Sequence, residues 1–360
     1  MIKELIVEGL NGQKKELKFS FNEDLNLLTG KNGCGKTTLL KLIWYINSCN
    51  FRCLLNEISF QTISLKTDEY SVYLSLKEKD GYLSLSVNDE PHYHIQINKI
   101  NEYPYRIIIQ SKQIQTIQHH SINSIFFPTF RRIEGGFSME SMSDSHYGGR
   151  AQEELKEALS DLSSSLSNIK HKFVSSISTE DIVQLLQSEY TKKSEQANHL
   201  QENLYSTILN RIKNRRGIAA DQLIEQIESE VESGEQRRQE LYQPFNVLSD
   251  LINKFFEHKG ISLKRLTFGD VDYAISSDKL SAGEKQMLSF LCYNTFSNNS
   301  IIFIDEPELS LHPDWQRTLI PTLLSQNKGN QFFMATHSPF IYTRYSDKEI
   351  IINEDRGGIW

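Results

Sequence analysis

Leu25-Asn26-Leu27-Leu28-Thr29-Gly30-Lys31-Asn32-Gly33-Cys34-Gly35-Lys36-Thr37-Thr38-Leu39-Leu40 decides the fold class of this chain. The stretch up to Thr29 reads as a strand, and from Thr38 to Ile46 the pattern is that of an apolar helix. Between them the glycines let successive backbone N–H groups face an anion. Lys36 is placed to reach the β and γ phosphates of a nucleotide, and Thr37 to ligate Mg2+ through its hydroxyl. The helix start turns the positive end of its dipole on the same anion. An ordinary Gly-rich turn would lack this strand–loop–helix context. The expected nucleotide contacts are Asn32, Gly33, Cys34, Gly35, Lys36, Thr37 and Thr38.

Three later segments belong with this loop. Ile301-Ile302-Phe303-Ile304-Asp305-Glu306 is an apolar strand ending in two acids. Asp305 is expected to hold Mg2+, through water, and Glu306 to orient or deprotonate an attacking water. Two acids could merely cap a strand, but Pro307, Glu308, Leu309, His312 and Pro313 continue a recognisable run. Leu280-Ser281-Ala282-Gly283-Glu284-Lys285-Gln286 is a turn that opens a helix, and Ala335-Thr336-His337-Ser338 follows another apolar strand. A loop near residue 30 and a strand near residue 305 must share one sheet. The chain between them therefore reads as an insertion into one nucleotide-binding fold.

Working outward, Ile2–Val7, Leu17–Phe21 and Leu25–Thr29 read as strands. Tyr70–Leu76 and Tyr82–Val87 flank a charged turn and read as an antiparallel hairpin. His92 and His94 share a face of a further strand with no third ligand in sight, which favours exposed strand histidines over a metal. Ile125–Phe130 leads into Arg131 and Arg132, and residues 135–150 are a Gly- and Ser-rich loop. From Ala151 to about Lys259 the chain is polar and helical, with Leu155, Leu159, Leu162 and Leu166 in helical register. No long heptad run is visible, so short antiparallel helices are expected rather than an extended coiled-coil arm. Residues 261–275 return to strand patterning. The expected organisation is an N-terminal lobe (1–135), a helical insertion (136–260) and a C-terminal lobe (261–360).

Composition narrows the class. The 360 residues carry 24% charged and 38% hydrophobic side chains, ordinary for a chain with a polar helical part. The net charge of -7 argues against global attraction to DNA. Arg211, Lys213, Arg215 and Arg216 form a local basic cluster, read either as a phosphate-binding patch or, preferably, as a solvated helical surface. Cys34, Cys49, Cys53 and Cys292 lack zinc spacing and suit reduced thiols. No leader layout is present and no apolar run reaches the ~18 residues that span a bilayer, so a cytoplasmic protein is expected.

Asp305-Glu306-Pro307-Glu308-Leu309-Ser310-Leu311-His312-Pro313 resembles the Walker B segment and D-loop of ABC-class ATPases, more narrowly the soluble branch of SMC, RecF-like and OLD-like proteins. Leu280–Glu284 is similar to that class's signature motif, and His337 stands at its switch histidine. The resemblance covers residues 1 to about 135 and 261 to about 350. It implies an α/β P-loop ATPase head, a mixed sheet with flanking helices, carrying an inserted helical lid. It also implies ATP and Mg2+ as cofactors and a head-to-tail homodimer at minimum, with a larger homo-oligomer compatible. In that dimer Ser281, Gly283 and Glu284 of one copy meet the ATP held by the other, Glu306 and His337 being catalytic and Thr37 and Asp305 on the metal. One departure is plain: transporter ATPases have a glutamine in the loop joining their lobes, and Pro128-Thr129-Phe130-Arg131-Arg132 has none. Arg131 and Arg132 could contact phosphates or the insertion, or form a solvated pair.

Residues 126–134 and the chain's size are also similar to ATPases of bacterial anti-phage systems, of the PARIS AriA and Septu PtuA types. OLD-type nucleases continue beyond the switch histidine into a metal-binding domain, for which this chain has no room. The expectation is an ATPase that senses infection or scaffolds a separate nuclease- or toxin-like effector. Nucleic acid is kept as a candidate partner, and a membrane is not expected. The rivals are a DNA-repair or chromosome-maintenance ATPase and the energising subunit of a transporter.

Overall fold

The structure is a computed structural model that describes residues 1–13, 15–77, 82–88, 90, 93–96, 112–129, 132–133, 148–214, 220–256, 280–326 and 328–352. The chain divides into two compact units, Met1–Ser176 with Ser297–Trp360, and Ile177–Phe296.

The first unit holds two six-stranded sheets. One is antiparallel and runs β2 (Leu17–Ser20), β1 (Ile2–Glu8), β4 (Thr62–Thr67), β5 (Ser71–Lys77), β6 (Tyr82–Val87), β7 (Tyr93–Gln96). The other is parallel throughout and runs β10 (His171–Phe173), β8 (Ser124–Phe127), β12 (Ile301–Asp305), β13 (Gln331–Ala335), β3 (Leu25–Thr29), β14 (Glu349–Ile351). Strands β3, β8, β12 and β13 are buried along their whole length, which explains why apolar residues dominate them. The expected hairpin is present, its β5 and β6 pairing from Val72 with Val87 to Lys77 with Tyr82.

Helix α1 (Lys36–Asn47) drives Trp44 into this core, 5.3 Å from the ring of Phe126 and 5.4 Å from that of Phe173. Phe126, Phe303 and Phe333 then stack across β8, β12 and β13 at 5.9 and 5.2 Å. The two sheets are stitched by one buried side chain. Gln331 accepts from the N–H of Ile2 at 2.8 Å and donates to the carbonyls of Ile2 and Asn22 at 2.8 and 2.7 Å. Helix α2 (Phe51–Glu57), α3 (Lys112–His120) and α4 (Gly148–Leu166) complete the segments up to β10.

Residues 171–173 correct an expectation, because a stretch read as helical contains the edge strand β10. Three residues are too few for periodicity to register. Phe173 and the buried pair of His171 Nδ1 with Ser124 Oγ, 2.8 Å apart, anchor it.

The second unit is helical from Thr179 onward where it is described. Helix α5 (Thr179–Lys213) starts at a capping box made by Ser178 and Asp181, and α6 (Ala220–Phe256) contains Pro244. Tyr190 meets Tyr242 and Phe245 near one end, and Arg211 meets Glu230 and Gln226 near the other, so the two run antiparallel. They are 35 and 37 residues long, about 52 and 55 Å at 1.5 Å per residue. This corrects the expectation of short helices. The seam does recur every seven residues, but its occupants are Tyr190, Ala197, Leu204 and Arg211, so no apolar heptad shows. At Leu204 the approach is close: a Cβ added to Gly234 would lie 2.8 Å from a Leu204 methyl. Helix α7 (Ala282–Thr295) packs against α5 and α6, with Phe245 and Phe296 4.9 Å apart. Residues 257–279, including the expected strand at 261–275, lie outside the described residues, as do Arg215 and Arg216.

Candidate nucleotide site

Three strand ends of the parallel sheet build the site. β3 delivers residues 30–35, and α1 begins at Lys36 directly after Gly35, whose φ of 100° is one that L side chains rarely adopt. The first turn of α1 has no acidic residue, so its N–H groups and dipole stay available to an anion. Lys36 is 5% exposed and folds back over its own loop, its Nζ donating to the carbonyls of Gly30 at 3.2 Å and Lys31 at 3.3 Å. These are long contacts to neutral acceptors, which the charged oxygens of a phosphate would replace.

β12 carries Asp305 to the same edge, buried at 1% exposure. Thr37 Oγ1 donates to its Oδ1 at 3.0 Å, and Thr129 Oγ1 donates to its Oδ2. Glu306 then leaves the strand with φ at 50°, its N–H held by the Ala335 carbonyl at 2.9 Å. This left-handed step, uncommon for a residue other than glycine, turns the carboxylate out of the sheet. β13 supplies the last part. His337 follows it, with Nδ1 3.5 Å from Lys36 Nζ and Nε2 3.4 Å from Glu306 Oε1. With the ammonium donating to Nδ1, the ring proton belongs on Nε2, facing the carboxylate.

Burial, the neighbouring Glu308 and Asp305 push Glu306 up to about 7, against a smaller opposing pull from Lys36. Burial and the Lys36 ammonium push His337 below its ordinary value, against smaller opposing pulls from Glu308 and Asp305, which favours the neutral ring. A carboxylate whose pKa lies near neutral pH, beside an imidazole N–H, suits general-base work.

Asn11, Asn32, Gly33, Gly35, Lys36, Thr37, Thr38, Glu306 and His337 line a cleft of about 480 Å3, large enough for a nucleotide. Asp305 lies beneath it, through Thr37. Its carboxylate and the Thr37 hydroxyl are hard oxygen donors of the kind Mg2+ takes, with phosphate oxygens and water completing the shell. Among the described residues no three His, Cys, Asp or Glu side chains gather as a metal cage, which such a shared site does not need.

Cys34 is not among the lining residues; its thiol lies 4.0 Å from Lys36 Nζ. Ser281, Gly283 and Glu284 belong to the helical unit. There Ser281 caps α7, its Oγ accepting from the Glu284 N–H at 3.4 Å while Glu284 Oε2 accepts from the Ser281 N–H at 2.7 Å. Of the stretch that lacks a glutamine, Thr129 reaches Asp305; Arg131 lies outside the described residues, and of Arg132 only the backbone, in β9 (Arg132–Ile133), is described.

Three residues escaped the sequence reading. Asn11 sits on the turn after β1 with φ at 50° and lines the cleft; Asn11-Gly12 was a legible turn signal, though not a site signal. Thr129 falls two residues past β8, where only the sheet order reveals its neighbour. Glu308 lay inside the quoted run without a role of its own.

The matches to known proteins follow this geometry. Over residues 1–342 the chain matches the AAA ATPase domain family. It is 22% identical to the "Retron Vc95 probable ATPase" of Vibrio cholerae serotype O1 biovar El Tor, over 94% of this chain and 71% of that protein. It is 50% identical to "Septu protein PtuA" of Bacillus thuringiensis over 48 residues, which are 13% of this chain and 12% of that protein. A crystal structure of an Smc head bound to the C-winged helix domain of ScpA superposes over 95% of this chain and 91% of its own, at 11% identity and a TM-score of 0.46. Among the described residues no helix is long and apolar enough to cross a membrane. With its phosphate loop, strand-end acids and histidine gathered on one cleft, the chain belongs to the AAA ATPase domain family, and it is an ATPase.

Proposed function

We propose that the chain binds ATP with Mg2+ in this cleft and hydrolyses it only when a second copy closes the site. The observation that carries the reading is the convergence of Lys36, the Thr37–Asp305 pair, Glu306 and His337 on one cleft. The loop N–H groups and Lys36 hold the phosphates, and Glu306 takes a proton from the attacking water. His337 donates from Nε2 to the γ-phosphate. Bound Mg2+, held by Thr37 and Asp305, supplies charge neutralisation on the phosphates. Ser281 and Gly283 at the start of α7 come from the partner copy, where a hydroxyl and helix N–H groups suit the same anion. The Glu284 carboxylate keeps that turn in shape.

The output of this cycle is control of a separate effector in bacterial anti-phage defence, in the cytoplasm. The similarity to a retron ATPase along most of the chain, and to PtuA over a short segment, supports that reading. Direct action on DNA is less favoured, since Arg211 of the basic cluster is already paired with Glu230 at 2.6 Å.

The test is Glu306→Gln, which keeps shape and removes the base. Hydrolysis should fall by about 10²–10⁴-fold, the usual contribution of a general base, with ATP still bound and a dimer trapped. Turnover at the wild-type rate rules Glu306 out as the base. Purified in ATP and Mg2+ with its neighbouring gene products, the trapped protein should carry a stoichiometric effector protein. DNA without a protein partner would move the reading to repair.

A further inference from the structure

The turn after β12 contains a second acid, Glu308, that enters the hydrolysis scheme only through its charge beside Glu306. Glu308 is the acceptor for three groups of the loop that carries His337. Thr336 Oγ1 donates to its Oε2 at 2.8 Å; the N–H groups of His337 and Ser338 donate to its Oε1 at 2.6 and 3.1 Å. Hydrogen bonds to an ionised acceptor are roughly twice as strong as neutral ones. Gln316, on α8 (Pro313–Ser325), closes the circuit. It donates to the Leu311 carbonyl at 2.8 Å and accepts from Ser338 Oγ at 2.5 Å. Both ends of the 308–311 turn are thereby tied to residues 336–338. The His337 ring stands at 3.5 and 3.4 Å from Lys36 and Glu306 on opposite nitrogens, a placement that depends on where its backbone is held.

We propose that Glu308 is a positioning residue: its carboxylate fixes the 336–338 backbone and so holds the His337 imidazole between Lys36 and Glu306. This rests on the role given to His337 above. Misplacement of a reacting group by about 1 Å can cost about 10²-fold in rate. Glu308→Ala should therefore lower kcat by about 10–100-fold, with ATP affinity changed by less than about threefold, a loss confined to the transition state. Glu308→Gln should recover most of that loss. Its amide oxygen still accepts both backbone N–H groups, and its NH2 can donate to Thr336 Oγ1.

The deciding measurement is a double-mutant cycle on full-length protein. If Glu308 acts through His337, Glu308→Ala should add nothing to the loss caused by His337→Ala. Losses that multiply overturn the proposal, as does wild-type turnover in Glu308→Ala. Should Glu308→Ala fail to fold, Glu308→Gln carries the test alone, and a loss as large as that of His337→Ala overturns it. A different result, wild-type turnover in His337→Ala, removes the role of His337 itself.

Discussion

The nucleotide cleft and the α5–α6 hairpin use polar side chains in opposite ways. At the cleft the carboxylates are held by several partners: Asp305 takes two threonine hydroxyls and Glu308 takes three donors. Along the hairpin the ties are sparse and wet, and even apolar residues such as Tyr205 at 66% and Ile224 at 54% stand in solvent. The difference is one of redundancy. A buried polar group that loses its partner bears its full desolvation cost, whereas an exposed one returns to water.

The largest expected break lies in the cleft. Lys36→Ala removes the ammonium folded over the phosphate loop and takes a positive charge from beside Glu306 and His337. ATP affinity, read by titration with a fluorescent analogue, should fall by at least about 100-fold, as expected for loss of roughly 3 kcal/mol of charged contact. The helix content should not change, because Lys36 makes no contact that α1 needs. Unaltered affinity would mean that the phosphates bind elsewhere.

The middle of the range tests the frame beneath the site. Gln331→Ala strips the buried N–H and carbonyl of Ile2 of their partners, while the Asn22 carbonyl keeps Asn26 Nδ2 at 3.0 Å. At about 1–3 kcal/mol for each unsatisfied group, the first unit should lose about 3 kcal/mol in urea denaturation. A loss below about 1 kcal/mol would show that the sheets are held by apolar packing without help from this side chain.

The same contrast decides what could be read from the sequence. Strand β12 was legible from its apolar run, as expected of a strand buried on both faces, and β3 from its short alternating run leading into the loop. The phosphate loop was legible because only glycines tolerate its backbone. Lys36 and Thr37 could be named from the phosphate loop, Asp305 and Glu306 from their place at a strand end, and His337 from the resemblance to ABC-class ATPases; the structure brings all five together. Thr129, Asn11 and Glu308 could not be assigned, since each owes its place to a neighbour distant in sequence. The hairpin's length was hidden for another reason: a seam of Tyr190, Ala197, Leu204 and Arg211 keeps its spacing while its chemistry changes at every step.

Arg211 gives the smallest effect and the sharpest contrast with Gln331. Both are long polar side chains that tie two elements together. Arg211 donates to Glu230 at 2.6 Å and to Gln226 at 3.2 Å, but its side chain is 41% exposed and that of Glu230 is 27% exposed. Water can replace each bond that truncation removes, and ion pairs of this kind are worth about 0.2–1 kcal/mol. Arg211→Ala should therefore lower stability by less than about 1 kcal/mol, and the effect should shrink in 0.5 M salt, where charges are screened beyond about 4 Å. A loss equal to that of Gln331→Ala, insensitive to salt, would mean that the hairpin is as tightly constrained as the cleft. Its exposed apolar residues would then need another explanation than tolerance.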